Sequence, residues 1–143
     1  MTAVKLISVF SENKPGQTAR VTQILADADV NIRWVTIAST GPFGVMKFLV
    51  DKSAPAIAAL KDKGLAVHFL DALAVEVQDK PGALNGVAEM LGQHGVNVDN
   101  VSGFVANQRA VLVLETHDIA KAKTILESNG LRVLAQEEMQ ISD

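Results

Sequence analysis

Residues Glu12 to Ile32, ENKPGQTARVTQILADADVNI, and residues Gln78 to Val98, QDKPGALNGVAEMLGQHGVNV, follow one pattern 66 positions apart. The same offset pairs Lys14 with Lys80, Pro15 with Pro81, Gly16 with Gly82, Val21 with Val87, Leu25 with Leu91, Leu60 with Leu126 and Gly64 with Gly130, with no gap along the 143 residues. An ungapped duplication restricts the fold severely, because whatever the first half forms the second should form too. Two copies are too few for a solenoid, whose units need about three for stability. Each copy is therefore expected to close as a small domain, 1–71 and 72–143, and the 48% hydrophobic content supplies enough apolar material for two.

Each copy carries the same string of elements. AVKLISVF and LDALAVEVQ are β-rich runs of strand length. After the Lys-Pro-Gly break, Thr18, Val21, Leu25 and Ala28, and Leu84, Val87 and Leu91, recur at helical spacing. VNIRWVTIAST and VNVDNVSGFVA suit second strands, and Gly41-Pro42 or Asn107-Gln108 turns the chain into a third, FGVMKFLV or RAVLVLET. Ser53 and Asp118 are candidate caps of a second helix, Gly64 and Gly130 its stops, and LAVHFL and LRVLAQ the closing strands. The order βαββαβ, twice, predicts an α+β fold: two ferredoxin-like sandwiches in tandem, each an antiparallel sheet with helices on one face.

Composition removes several functions. A net charge of −3 and 4% aromatic residues argue against a nucleic-acid partner, which needs basic and stacking surfaces. The absence of cysteine excludes disulfides, thiolate metal sites and cysteine nucleophiles. His68, His94 and His117 fall on three different predicted elements, so neither a metal site nor a cofactor is expected. MTAVKLISVF lacks the pattern of a signal peptide, and no apolar run reaches the roughly 20 residues that span a bilayer. The expectation is a cytoplasmic protein with no membrane partner. No nucleophile has a base beside it in the sequence, so no catalytic residue is assigned and no enzyme is expected. The terminal EEMQISD is expected to be a solvated acidic tail.

The Lys-Pro-Gly break has a physical use. Proline pushes Lys14 out of helical geometry, and Gly16 tolerates angles that a side chain forbids. The loop then delivers the chain into a helix whose first N–H groups, around Gly16 to Thr18 and Gly82 to Leu84, lack intrahelical partners and favour a carboxylate. Asn13, Asp79, Asn31 and Asn97 are the polar groups that spacing places best for the rest of an amino acid.

Strand, Asn/Asp-Lys-Pro-Gly, amphipathic helix, then Val-Asn-Ile/Val opening a strand resembles the ACT domain family of amino-acid-binding regulatory modules. The resemblance covers both copies and is nearest to freestanding tandem ACT proteins that carry no catalytic domain. It implies a small-molecule sensor whose ligand, an L-amino acid or related metabolite, sits between ACT domains. The loop of one domain would face the second strand of another: Ser11, Asn13, Lys14, Gly16 and Gln17 against Asn97 and Val98, and Asp79, Gly82, Ala83 and Leu84 against Asn31 and Ile32. Of these the first site is favoured, because Asp79 would repel a carboxylate unless it holds the ammonium instead, and Leu84 narrows the second. A partner enzyme of amino-acid metabolism is implied, and the alternative is a protein-docking module with degenerate ligand sites.

The strands do not alternate cleanly, as they should in a sheet with one face in water. Trp34, Met46 and Leu112 are assigned to a helix-free face that a second chain would cover, giving a homodimer, with a bulge near Gly44 as the alternative account of the parity.

Overall fold

The computed structural model describes residues 3–106 and 109–139. The elements are β1 (Val4–Glu12), α1 (Gln17–Asp27), β2 (Ile32–Thr40), β3 (Phe43–Val50), α2 (Ser53–Asp62), β4 (Ala66–Val77), α3 (Ala83–Gln93), β5 (Asn100–Ala106), β6 (Arg109–Glu115), α4 (Ile119–Ser128), β7 (Arg132–Leu134) and α5 (Gln136–Met139). They form two compact units, one of Lys5–Leu70 and the other of the chain from Asp71 onward together with its start, up to Val4. The division falls inside β4, a single strand where the sequence pattern suggests two, LAVHFL and LDALAVEVQ, in succession.

Strand order is β2-β3-β1-β4 in the first unit and β5-β6-β4-β7 in the second, the expected ferredoxin-like arrangement. The core of the first unit follows from parity. Ile7 lies opposite Phe48 and Val9 opposite Met46, and these side chains meet Val21, Ile24 and Leu25 of α1 and Ala56 and Leu60 of α2. The second unit repeats the pattern with Leu73, Val75 and Leu114 against Val87, Leu91, Ala122, Ile125 and Leu126.

Several expectations need correction. Met46 is 4% exposed and belongs to the helix-packed core, and Leu112 packs against the matching core of the second unit. Neither sits on a helix-free face, because parity places them level with Phe48 and Leu114. Register runs unbroken through Gly44 in both of its pairings, and the irregularity in β2 lies between Ile32 and Trp34 instead. Trp34 pairs with Leu49, on the helix-free face, and is half-buried. On that face Leu6 and Leu49 are each 1% exposed.

Ser53 is the first residue of α2, not its cap. Lys52 holds the capping position and extends its ammonium to Asp29, whose carboxylate (3.0 Å) raises the Lys52 pKa above its ordinary value. Asp118 does cap α4, accepting from the Lys121 N–H at 3.0 Å. The terminal acidic run is not wholly tail: Glu137 to Met139 fall in α5, and Glu138 pairs with Arg132 and accepts from the Ala135 N–H. The turn at Asn107-Gln108 and the last four residues lie outside the described residues.

Candidate functional site

The loop between β1 and α1 is held from two sides. The Asn13 N–H donates to the Pro42 carbonyl at 2.8 Å, and its side-chain Nδ2 donates to the Gly41 carbonyl at 3.0 Å. Asn13 therefore fastens the loop to the β2–β3 turn, a positioning role that its spacing alone does not reveal. Lys14 makes an exposed ion pair with Glu12 at 3.3 Å, the kind that contributes little to stability.

Gly16 stands at the capping position of α1 with φ +89°, a left-handed conformation that disfavours any side chain. The Gln17 N–H bonds back to the Lys14 carbonyl at 3.3 Å, so the expected set of free donors from Gly16 to Thr18 is smaller by one. No side chain caps α1, and its first turn holds no acidic residue. The positive end of that helix is thus left for an external acceptor, whereas α4 satisfies its own with Asp118.

Beside this helix end lies a pocket of about 50 Å³, wholly within the first unit. Ser11, Asn13, Lys14 and Gln17, all singled out by sequence, line it together with Glu12, Thr18, Ile37, Ser39, Gly44 and Met46. Ser11 is 5% exposed, and its hydroxyl donates only a long 3.3 Å bond to the neighbouring Glu12 carbonyl. A buried hydroxyl so weakly engaged is available to a ligand. Gly44 lies opposite Ser39 across the β2–β3 ladder, and a Cβ on Gly44 would come 2.4 Å from the Ser39 hydroxyl. The missing side chain keeps that hydroxyl in the pocket wall.

The second unit keeps the glycine-opened helix and changes residues around it. Gly82 again opens a helix, with φ +87° and no side-chain cap. The depression beside that helix, about 170 Å³, matches through the offset a second first-unit depression of about 300 Å³, lined by Ser11, Gln17, Arg20 and Leu65 among others, and is itself walled by Val77, Ala83, Gly86, Val87, Met90 and Leu131 with Gln78 and Lys80. Asp79 is exposed and Leu84 is half-exposed, and neither lines that depression.

Other residues chosen from the sequence sit apart from these loops within their own units. Asn31 donates its N–H to the Asp51 carboxylate at 2.9 Å, and Ile32 pairs with Val50. The β1–α1 loop leaves instead from Glu12, which pairs with Phe43 at the other end of β3. Asn97 donates its side-chain amide to Asp99 at 2.9 Å, and Val98 packs on the second core.

Thr18, Ser39 and Gly44 were not legible as site residues. Thr18 looks like the first rung of the apolar stripe of α1, yet that stripe becomes buried only from Val21, leaving Thr18 exposed over the pocket. The duplication does contain a signal for the other two, since at Ser39 and Gly44 the second copy has Val105 and Ala110. A glycine inside a strand, replaced in its twin, marks a place where room is kept.

Among the described residues no group of three or more His, Cys, Asp or Glu could hold a metal ion, and no helix is long and apolar enough to cross a membrane. Residues 1–142 match the family model for an ACT domain pair. The chain is 30% identical to protein BT0572 from Bacteroides thetaiotaomicron, with a TM-score of 0.90 over 96% of both chains. It is 26% identical to the ACT domain-containing protein ACR3 of Arabidopsis thaliana over 92% of its own length, spanning about a third (35%) of that relative. The regulatory subunit of aspartate kinase from Thermus thermophilus shares the fold at 16% identity, with a TM-score of 0.64 over 90% of this chain and 93% of that one. Tandem βαββαβ units, each with a glycine-opened helix after its first strand, and a family match over nearly the whole length place this chain in the ACT domain pair family, whose domains are regulatory, small-molecule-sensing modules and not catalytic ones.

Proposed function

We propose that this chain is a regulatory sensor of a free L-amino acid or a close metabolite, which docks on the β1–α1 loop of the first unit. The observation that carries the proposal is the convergence of a buried, weakly engaged Ser11 hydroxyl and an uncapped α1 terminus on one small pocket. The ligand carboxylate meets the free N–H groups at the start of α1, where the helix dipole favours it. Glu12, on the pocket rim, supplies an acceptor for the ammonium. A second ACT domain completes the ligand shell. The protein acts by transmitting occupancy to an enzyme of amino-acid metabolism.

A thermal-shift screen of the twenty amino acids tests this. A ligand at 100 times its dissociation constant stabilises by roughly 2.7 kcal/mol, well within what a melting curve detects. No shift with any of them removes the proposal.

One observation favours a second role for the other half. In the first unit Arg20 donates to the Lys63 carbonyl at 3.2 Å, and the two line a depression of about 300 Å³, while the equivalent position 86 is glycine and the matching depression beside α3, about 170 Å³, is walled mostly by apolar side chains. That groove suits a docked apolar side chain from the regulated protein. Pull-down that survives Ser11→Ala but fails with Gly86→Arg would separate docking from sensing.

A further inference from the structure

We infer that the first unit binds a second ligand, an aromatic carboxylate without an ammonium group, in the depression of about 300 Å³ where the end of β1, α1 and the α2–β4 turn meet. The ring rests on Phe10 and Phe43 and the carboxylate on Arg20 and Lys63, four residues that do not line the smaller pocket of the β1–α1 loop. Phe10 and Phe43 stack with centroids 5.7 Å apart and planes 20° from parallel, and each is about half exposed. Leu65 and Ala66 extend the same wall. A flat ring laid there covers contiguous apolar surface and adds the aromatic contacts that such rings favour. An apolar cavity of about 150 Å³ holds benzene, so about 300 Å³ leaves room for a ring with a short acid chain.

The charge on the wall selects the head group. Arg20 donates to the Lys63 carbonyl at 3.2 Å, a bond that holds the guanidinium at the depression and spends one of its several N–H donors. Among the described residues Arg20 has no carboxylate partner, whereas Arg109 and Arg132 of the second unit both pair with Glu76. A planar guanidinium with donors to spare matches a carboxylate in shape and charge. Lys63 adds a second cation, and Glu12, the acidic member of the wall, is paired with Lys14 at 3.3 Å. Two cations against one carboxylate suit a monoanion better than a phosphate ester, which carries nearly two negative charges.

The twin shows that the fold does not call for this set. Through the offset, Glu76, Gly86, Arg109 and Asn129 stand where the first unit has Phe10, Arg20, Phe43 and Lys63. With glycine at the position of Arg20, α4 still ends at Asn129 as α2 ends at Lys63, so the guanidinium is not needed to stop the helix. The β4–β6 ladder likewise matches the β1–β3 ladder without the rings. Two half-exposed rings beside a cation with no carboxylate partner do little for the first unit's own stability, and together they form a surface with a ligand's complement.

The experiment is an amide NMR titration of the full chain with 3-phenylpropionate, set against butanoate, which has the carboxylate without the ring, 3-phenylpropanol, which has the ring without the charge, and adenosine monophosphate. 3-Phenylpropionate is expected to shift the amides of Arg20, Gly64, Leu65 and Ala66 with saturation, and to bind at least about tenfold tighter than butanoate or 3-phenylpropanol. Arg20→Gln, which keeps the helix, should weaken it about tenfold through the lost charge-assisted bonds, and Phe10→Ser about fivefold or more through the lost ring contact. Butanoate or 3-phenylpropanol binding as tightly as 3-phenylpropionate overturns joint recognition of ring and charge, and adenosine monophosphate binding more tightly overturns the preference for a monoanion. No saturable shift at those amides, or unchanged affinity in Arg20→Gln and Phe10→Ser, overturns the site. Because Arg20 and Phe10 lie outside the loop pocket, an amino acid that stabilises the chain while 3-phenylpropionate fails removes this inference and leaves the proposed function in place.

Discussion

Positions 10 and 43 of the first unit correspond, through the 66-residue offset, to positions 76 and 109 of the second, and the two pairs solve the same place in opposite ways. Phe10 and Phe43 stack with ring centroids 5.7 Å apart, and each is about half exposed, 51% and 50%. Glu76 instead accepts from Arg109 twice, at 3.1 Å and 2.7 Å, and from Arg132 at 3.2 Å. The strand pairing that carries them is the same, and so are the cores beneath, Val21 and Leu25 against Val87 and Leu91. Duplication has kept what the backbone needs and released what it does not. The loops obey the same rule: the left-handed glycines persist at Gly16 and Gly82, while at the positions of the pocket residues Ser11, Ser39 and Gly44 the second copy has Val77, Val105 and Ala110.

The shared part of this comparison should resist equal insults equally. Leu25 and Leu91 are both fully buried at equivalent rungs of their helices. Leu25→Ala and Leu91→Ala should each cost about 2–5 kcal/mol in urea denaturation, and the two costs should agree within about 1 kcal/mol. A much larger gap would show that the halves are not energetic equivalents despite their common fold.

The divergent part should respond to pH. The Arg109 guanidinium bonded to Glu76 holds its carboxyl below the ordinary glutamate range, so the folded state keeps its charge longer than the unfolded chain does. The sign follows. Stability from this pair is present above the unfolded value of about 4.3 and is lost as pH falls through the depressed folded value. Glu76→Gln should cost up to about 1 kcal/mol at neutral pH, since the pair is partly solvated, and should flatten this part of the acid limb. An acid limb identical to wild type would remove the pair from the account. The smallest effect belongs to the first unit's counterpart: Phe10→Ser should change stability by less than about 1 kcal/mol, because the ring is half in water already.

The fold was legible because the period of the apolar residues and the βαββαβ order are written twice, and each copy checks the other. Strand faces were harder. FGVMKFLV is apolar at both parities because both of its faces are buried over Phe48 to Val50, so alternation cannot say which residues meet the helices. The loop residues of the site could be read from Lys-Pro-Gly, since proline and glycine act locally. The far wall could not, because Ile37, Ser39, Gly44 and Met46 reach the pocket only through the β1–β3 and β2–β3 registers, which no local pattern specifies. Gly16→Val, a natural choice for blocking ligand approach, is a poor probe: at φ +89° a β-branched side chain strains the fold itself.

The central proposal is that the first unit senses and its twin, on the same backbone, does not, and amide NMR of the full chain during titration with the amino acid that gives the largest thermal shift tests it position by position. The account predicts that the amides of Ser11, Gly16, Gln17, Thr18, Ser39 and Gly44 shift with saturation, while those of Val77, Gly82, Ala83, Leu84, Val105 and Ala110 stay in place. Equal shifts at both sets, or shifts confined to the second, would contradict it.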